Sequence, residues 1–467
     1  MILDNKKEDI NRKWLTANIG SLILNHASEK SRIENLRNYY LGDHDILDRT
    51  MSNTYVANEK LVNNFPKYIT TVSVGYFMGN PIDYMANKIT LKKSIDDLKK
   101  VMRKGDIESV DIDVAINCSI AGVGYEFINS FTDFDNETIP KSYSLLPERS
   151  FVAYSNTIEA TPLFGVYYVD SADPITKNNT TFVTVATDNR IYTFKTNGNK
   201  VYTWQSTKEH YFGIVPIIEY KNNSDLHGDF QDVISLVDAY NLLQSDRIND
   251  KEQLIDAILL LTGANLEDNK FITNIKENRI LVLPDIDSKA EWLTKQLDEE
   301  DTDVLRKSIE SDIHKFSLTP NITDDQFSGN ASGAAMEYKL FGFEQLIKTK
   351  ERFFQESLRT RLIAYLTFIQ KQNKLKGLTV DAIEFIFNRN LPTNDLEIAQ
   401  MVNQLRNLVS NQSLLGQIPF VKDVDVEMAK VEKQKEEQQK EIQNTLAFPD
   451  VNGDPNVDNQ DNAIPKE

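Results

Sequence analysis

A single cysteine, Cys118, stands among 467 residues. It excludes an intrachain disulfide and a cysteine metal cluster, and it suits a reducing cytoplasm. Histidine is nearly as scarce: His26, His44, His210, His227 and His314 are scattered, and no two stand three or four residues apart. The His-Glu-x-x-His zinc pattern is absent, and so is the Gly-x-x-x-x-Gly-Lys-Ser/Thr loop of a motor ATPase. Gly122-Val123-Gly124 lacks a third glycine and reads as a turn after a helix. No apolar run approaches bilayer length; the longest aliphatic cluster is Ala257 to Leu261. The charged opening, MILDNKKEDINRKW, is not expected to act as a secretory signal. Positive charge is in deficit, with 52 basic against 70 acidic residues and a net charge of −18. A sequence-reading DNA binder usually carries a basic surface.

Periodicity supplies most of what is present. Residues 1 to about 45 read as polar helix. Val62, Phe65, Ile69, Val72 and Tyr76 predict a buried helix that Gly79-Asn80-Pro81 stops. Another is expected over 106–122, with Ile112, Ala115, Ile116 and Ile120 on one face. Residues about 144–220 read as an antiparallel sheet. Thr181–Val185 and Ile191–Lys195 flank an Asp188-Asn189 turn, and Asn197-Gly198 precedes a strand over Lys200–Trp204. Asp229 is placed to cap a helix that runs to Leu261, roughly 50 Å. Its middle, Gln244 to Gln253, is almost wholly polar and needs polar neighbours or solvent. A small mixed α/β stretch follows over 264–301. Thr302 is expected to cap a helix bearing Leu305, Ile309, Ile313 and Phe316 on one face. Residues 317–333 form a long loop with Pro320, Gly329 and Gly333. A third long helix carries Met336, Leu340, Phe343, Ile347, Phe354, Leu358, Leu362, Tyr365 and Ile369, with Gly342 as a point where it could kink. Further helices are expected over 393–444. The tail from Phe448 is poor in large apolar residues and is expected to be disordered.

Chemistry is thin. Cys118 lies on the apolar side of a helix and reads as a buried thiol, though a nucleophile is the other reading. Asp324-Asp325 could bind a cation; a solvated loop pair is the simpler account. Glu299-Glu300-Asp301 suits the start of a helix. The basic residues Lys270, Lys276, Arg279, Lys289 and Lys295 are mixed with acidic ones and read singly as a solvated surface. In a ring, each would be repeated as a collar. The Lys/Glu run over 427–441 reads as a solvated helix. No catalytic residue, metal or cofactor is expected.

Several blocks carry a resemblance. They are Asn38-Tyr39-Tyr40-Leu41-Gly42-Asp43-His44, Asn63-Asn64-Phe65-Pro66-Lys67-Tyr68-Ile69 and Val74-Gly75-Tyr76-Phe77-Met78-Gly79-Asn80-Pro81. Ser119–Glu126, Gly228–Asn241, Ser245–Asp250, Leu261-Thr262-Gly263 and Pro320–Gly333 with Tyr338-Lys339-Leu340 follow in order. Together they resemble the portal proteins of long-tailed phages of Gram-positive bacteria. The resemblance implies an α+β subunit of a ring, usually of twelve copies in the virion, through which double-stranded DNA passes without sequence specificity. It implies a wing over 1–228, a stem helix over 229–262, a clip over 263–301, a second stem helix over 302–316, a tunnel loop over 317–333, a long helix and wing over 334–392, a crown over 393–444 and a tail over 445–467. The tunnel loop would narrow the channel with Thr319, Asn321, Asp324, Asp325, Gln326, Phe327, Ser328 and Asn330. The stem would face it with Gln244, Arg247, Asp250 and Lys251. Lys270, Lys276, Arg279 and Trp292 of the clip would meet DNA or a partner. The implied partners are a terminase, scaffold and major capsid protein, and a head-completion protein, with no membrane. Another oligomeric head or neck protein without a channel is the alternative, and a nuclease is a third reading.

Overall fold

Strand β1 (Ile2–Leu3) is followed by a 30-residue helix, α1 (Arg12–Leu41). The helix starts where Asn11 accepts hydrogen bonds from the backbone N–H groups of Lys13 and Trp14, at 3.0 and 3.1 Å. It stops at Gly42, whose φ of 97° is left-handed. Its buried residues recur every three to four positions: Leu15, Ile19, Leu22, His26, Ile33, Leu36 and Tyr39. At roughly 45 Å the helix reaches three separate cores. Leu15, Ile19 and Leu22 pack with Phe151, Phe164 and Phe194. Ile33 joins Val123, Val152 and Ile217. Leu36 and Tyr39 join Ile69, Phe230, Val237 and Ile313.

The structure is a computed structural model. It describes all residues except 52–56, 134–135, 173–178, 197–200, 256–257, 263–288, 294–298, 324–332, 390–394, 407, 419–420, 422–423 and 447–467. The chain divides into two compact units, Met1–Asn390 and Leu391–Glu467.

Helix α2 (Phe65–Met78) begins with Pro66 in its first turn and Asn64 as its cap, so Leu61–Asn64 is not helical as the apolar spacing predicts. Strand β2 (Asp83–Ala86) and helices α3 (Lys92–Lys104) and α4 (Ile107–Ala121) follow. Helix α4 buries Val110, Asp111, Val114, Cys118 and Ala121. Ile112, expected on its buried face, is exposed. The helix packs on α2 on one side and on the following sheet on another, and Ile112 falls on the narrow stripe left to solvent. Gly122 ends α4 at φ 80°, where a Cβ would lie 1.9 Å from the Leu226 carbonyl oxygen. A Cβ on Gly228 would lie 2.3 Å from the Ile120 carbonyl oxygen. Only glycine lets this turn rest on the helix end.

The sheet region opens earlier than the pattern predicts, at β3 (Val123–Thr132), which pairs antiparallel with β4 (Thr138–Leu145). Residues Val123 to Glu126 are all buried, so inward and outward positions do not alternate there. Strands β5 (Ser150–Ser155), β6 (Pro162–Ala172), β7 (Asn179–Ala186), β8 (Arg190–Thr196) and β9 (Thr203–Glu209) form a sheet of order β1-β5-β6-β7-β8-β9. It is antiparallel except where β1 joins β5. The Asp188-Asn189 turn connects β7 to β8 as expected. Strand β9 starts at Thr203 instead of near Lys200, and Asn197-Gly198 lies outside the described residues. Strand β10 (Ile217–Lys221) returns to β3.

Helix α5 (Ile234–Ile255), strands β11 (Ile258–Thr262) and β12 (Lys289–Leu293), and helix α6 (Glu299–Phe316) come next. The 39-residue α7 (Gly333–Lys371) runs through Gly342 without a break. Its stripe from Leu340 to Ile369 is buried as predicted. Strand β13 (Ile383–Ile386) pairs antiparallel with β2. The fold is α+β. The second unit holds α8 (Asp395–Leu405), α9 (Asn411–Leu415) and α10 (Val424–Leu446), whose Ile398, Val402, Leu414, Met428 and Val431 line a cleft of about 550 Å³. The tail beyond Leu446 lies outside the described residues.

Arg361 of α7 is wholly buried. Its guanidinium meets Asp111 of α4 at 2.6 Å and Glu126 of β3 at 2.9 Å. Tyr220 of β10 donates to Glu126 at 2.5 Å. The long α7 and β10 are thus joined to the neighbouring α4 and β3 inside an apolar core. Removing the cation leaves two buried carboxylates. Arg361→Met should therefore lower the unfolding free energy by about 3–5 kcal/mol, which urea titration at fixed protein concentration will measure.

His26 sits beneath the six-stranded sheet, 3.0 Å from the Tyr168 hydroxyl. Tyr168 donates to the Glu148 carbonyl oxygen, so Nδ1 of His26 carries the proton. Burial, opposed in part by Glu29, pushes the His26 pKa from 6.5 down to about 4. A folded pKa below the unfolded one means that stability is whole above 6.5 and is lost as pH falls toward 4. His26→Asn keeps a donor there and does not titrate. Thermal melts from pH 7 to 4.5 should show wild type losing stability relative to this variant.

Candidate functional site

Helices α5 and α6 pack together through Val237, Tyr240, Ile309 and Ile313. Asp229 does not cap α5. A short 3-10 turn, Gln231–Val233, intervenes, and the side chain of Asp229 is buried before it. Its carboxylate meets the Lys350 ammonium of α7 and accepts from Ser119 at 2.7 Å and Asn222 at 2.8 Å. Lys350 also donates to Ser73 of α2 at 2.8 Å. Burial alone would raise the Asp229 pKa; Lys350 and these donors hold it below the usual carboxylate range.

The far end of α5 also departs from the expectation. The helix closes at Ile255 and is roughly 33 Å long. The apolar run Ile258–Thr262 is strand β11, paired antiparallel with β12. A short continuous apolar run does not distinguish the two states. Likewise α6 starts at Glu299, placing the acidic residues in its first turn and Thr302 inside it. Ile313 is buried, whereas Leu305 and Phe316 are exposed.

The polar middle of α5 is largely explained within the chain. Asn241, Ser245 and Asn249, each four residues apart, are buried. They accept hydrogen bonds from the backbone N–H groups of Asn63, Leu61 and Glu59, at 2.7, 2.9 and 2.7 Å. Four helical residues rise about 6 Å, and two extended residues advance about 6.8 Å. The two repeats match, so a helix face serves an extended segment as a neighbouring strand would. His44 reinforces the ladder: its Nε2 donates to the Tyr39 carbonyl oxygen at 2.9 Å, and its Nδ1 accepts from Asn241 at 2.9 Å. Burial lowers the His44 pKa and keeps this tautomer neutral. Of the residues expected to face a channel, Gln244 donates to the Tyr240 hydroxyl at 3.2 Å. Arg247 and Asp250 are half-buried, and Lys251 is exposed.

The loop after α6 begins as a fastened segment. Leu318 adopts a left-handed φ of 54°. Thr319 is buried, with its hydroxyl turned to the Ser317 carbonyl oxygen, so it belongs to the base of the loop and not to an exposed tip. The Asn321 side chain accepts from the Thr323 backbone at 3.1 Å and hydroxyl at 2.7 Å. His314 donates to the Thr319 carbonyl oxygen at 3.0 Å. Tyr68 of α2 donates to the Pro320 carbonyl oxygen at 2.9 Å and accepts from the Ile322 N–H at 3.0 Å. Beside the segment lies a cleft of about 970 Å³ lined by Arg306, Lys307, His314, Lys315, Asn321 and Lys339, among others. Arg306 is bound to Asp303 and Glu310, at 3.0 and 2.8 Å.

Asp324, Asp325, Gln326, Phe327, Ser328 and Asn330 lie outside the described residues, as do Lys270, Lys276 and Arg279. Trp292 is in β12, with its backbone opposite Leu259. Among the described residues no group of three His, Cys, Asp or Glu side chains is placed to hold a metal. Burial pushes the Cys118 thiol pKa well up, and it donates to the Tyr220 carbonyl oxygen, which fits the inert reading. The sequence reading missed Tyr68, His314 and the ladder. Only the ladder left a signal, the four-residue spacing of Asn241, Ser245 and Asn249.

The profile of the family described as "Phage portal protein, SPP1 Gp6-like" matches residues 19–441. The portal protein of Bacillus phage SPP1 is 22% identical over 453 residues, covering 91% of this chain and 87% of that protein. The portal protein of Clostridium phage phiCD119 is 23% identical over 433 residues, covering 87% and 93%.

Truncating a ladder side chain leaves a partly buried backbone N–H unpaired. Ser245→Ala and Asn249→Ala should each cost about 1–2 kcal/mol in urea unfolding. Exposed Lys251→Ala should stay within about 0.5 kcal/mol.

Proposed function

The chain belongs to the phage portal protein family, and we propose that it forms the ring through which double-stranded DNA enters and leaves the capsid. Portal proteins are structural components of the virion capsid, which accords with a role that needs no catalytic group or cofactor. In this reading the subunits, twelve in the virion, assemble in the host cytoplasm with scaffold and major capsid protein. A separate terminase drives DNA inward. The ring then retains the genome, docks head-completion proteins and releases DNA at ejection.

One observation carries the reading. Two packed helices, α5 and α6, lead into a loop whose base is pinned and whose following helix is 39 residues long. This is the order of parts that a stem, a constriction and a supporting wing require. Gln244, Arg247, Asp250 and Lys251 are assigned to the stem face. Asn321, Asp324, Asp325, Gln326, Phe327, Ser328 and Asn330 are assigned to the constriction, with Thr319 as its anchor. Lys270, Lys276, Arg279 and Trp292 are assigned to the clip. The net charge of −18 supports sliding, since an acidic lumen does not hold phosphate.

Electron microscopy of the purified chain should give ring-shaped class averages with a hole wide enough for a duplex. A closed oligomer without a hole would favour a head or neck component that carries no DNA. Deleting 324–332 should preserve the ring and reduce DNA retention in assembled capsids. Retention at the wild-type level would remove the loop from the channel mechanism.

A further inference from the structure

We propose that Tyr68 and His314 are positioning residues that fasten the base of the 317–333 loop and so set where its outer part stands. The inference rests on the reading of that loop as the channel constriction. A tyrosine hydroxyl offers one donor and two acceptor sites. Tyr68 uses both functions on one turn, donating to Pro320 and accepting from Ile322. The two contacts straddle Asn321 and fix the chain direction there.

His314 holds the preceding residue. Its Nδ1 faces the Thr319 carbonyl oxygen, an acceptor, so Nδ1 carries the proton. The imidazole is itself held edge-on, 5.6 Å from the Tyr68 ring and 6.0 Å from Phe65. Phe65 packs in turn on Tyr240 of α5, with ring centroids 5.1 Å apart. The loop base is therefore tied to α2, α5 and α6 at one point. The left-handed Leu318 agrees with this: a non-glycine residue stays in that region only when its surroundings hold it there. Without the latch, the turn after α6 has a cheaper conformation to adopt.

The test uses full-length rings and assembled capsids. Tyr68→Phe keeps the ring packing and deletes only the hydroxyl. His314→Ala deletes the second contact, and His314→Asn restores an N–H near the position of Nδ1. Hydrogen exchange should show the Ile322 amide exchanging on the order of tenfold faster in Tyr68→Phe, with the α2 amides unchanged. DNA retention should fall in Tyr68→Phe and His314→Ala and recover in His314→Asn. Unchanged exchange at Ile322 would overturn the latch. Faster exchange with normal retention, in capsids where deleting 324–332 does impair retention, would overturn its positioning role. If neither change affects retention, the constriction reading fails, and the faster exchange still supports the latch as a contact.

Discussion

The buried pair between Lys350 and Asp229 fixes where the parts of this subunit meet. Lys350 belongs to the long α7, and Asp229 precedes α5. Ser119 of α4 and Ser73 of α2 complete the same knot. Separating two charges in such a place leaves one of them buried and unpaired, which costs far more than an exposed contact. The pair therefore acts less as a source of net stability than as a register pin. It specifies which residue of α7 stands beside the entry to α5. The Arg361 cluster does the same eleven residues further along α7, against α4 and β3. With two pins on one helix, neither rotation nor sliding of α7 is cheap. The apolar stripe alone, a repeat of similar side chains, would permit both.

Much of the N-terminal unit was legible because its signals are local. The Asp188-Asn189 turn and the apolar stripe of α7 act within a few residues. Several misses share a different cause, a partner distant in sequence. Asp229 has the chemistry of a cap, yet Lys350 claims its carboxylate. Ile258–Thr262 has the composition of either a helix end or a strand, and pairing with β12 decides it. Strand β3 hides its alternation because the start of it is covered on both faces. Family resemblance supplied the order of parts. It said nothing of how the loop base is held, because Tyr68 and His314 are separated by well over two hundred residues and only the fold brings them together.

The long α1 shows how one element serves both the sheets and the α5–α6 helix pair. Its first half is set on the six-stranded sheet and its last turns on α2, α5 and α6. A load applied at α5 and α6 is thus passed to the sheets through a continuous helix, without a loop between. Polar contacts lie along the same path. Arg37 meets Glu148 at 3.0 Å, and Tyr39 donates to Asp238 of α5 at 3.0 Å.

The polar middle of α5 illustrates why composition alone misleads. At about 100° per residue, Asn241, Ser245 and Asn249 lie within about 80° of one another. Arg247, Asp250 and Lys251 fall between about 180° and 280° from Asn241, on the other side of the helix, with Gln244 on the flank between the two faces. The waist is two polar faces with different work. The first is spent on the chain's own backbone, with short side chains that hold fixed hydrogen bonds. The second carries longer side chains, half-buried to exposed. In the proposed ring, where α5 would line a water-filled channel, both faces are needed. Its outer face must be rigid enough to keep the lumen in shape, and only then can flexible side chains on the inner face meet a passing polymer without holding it.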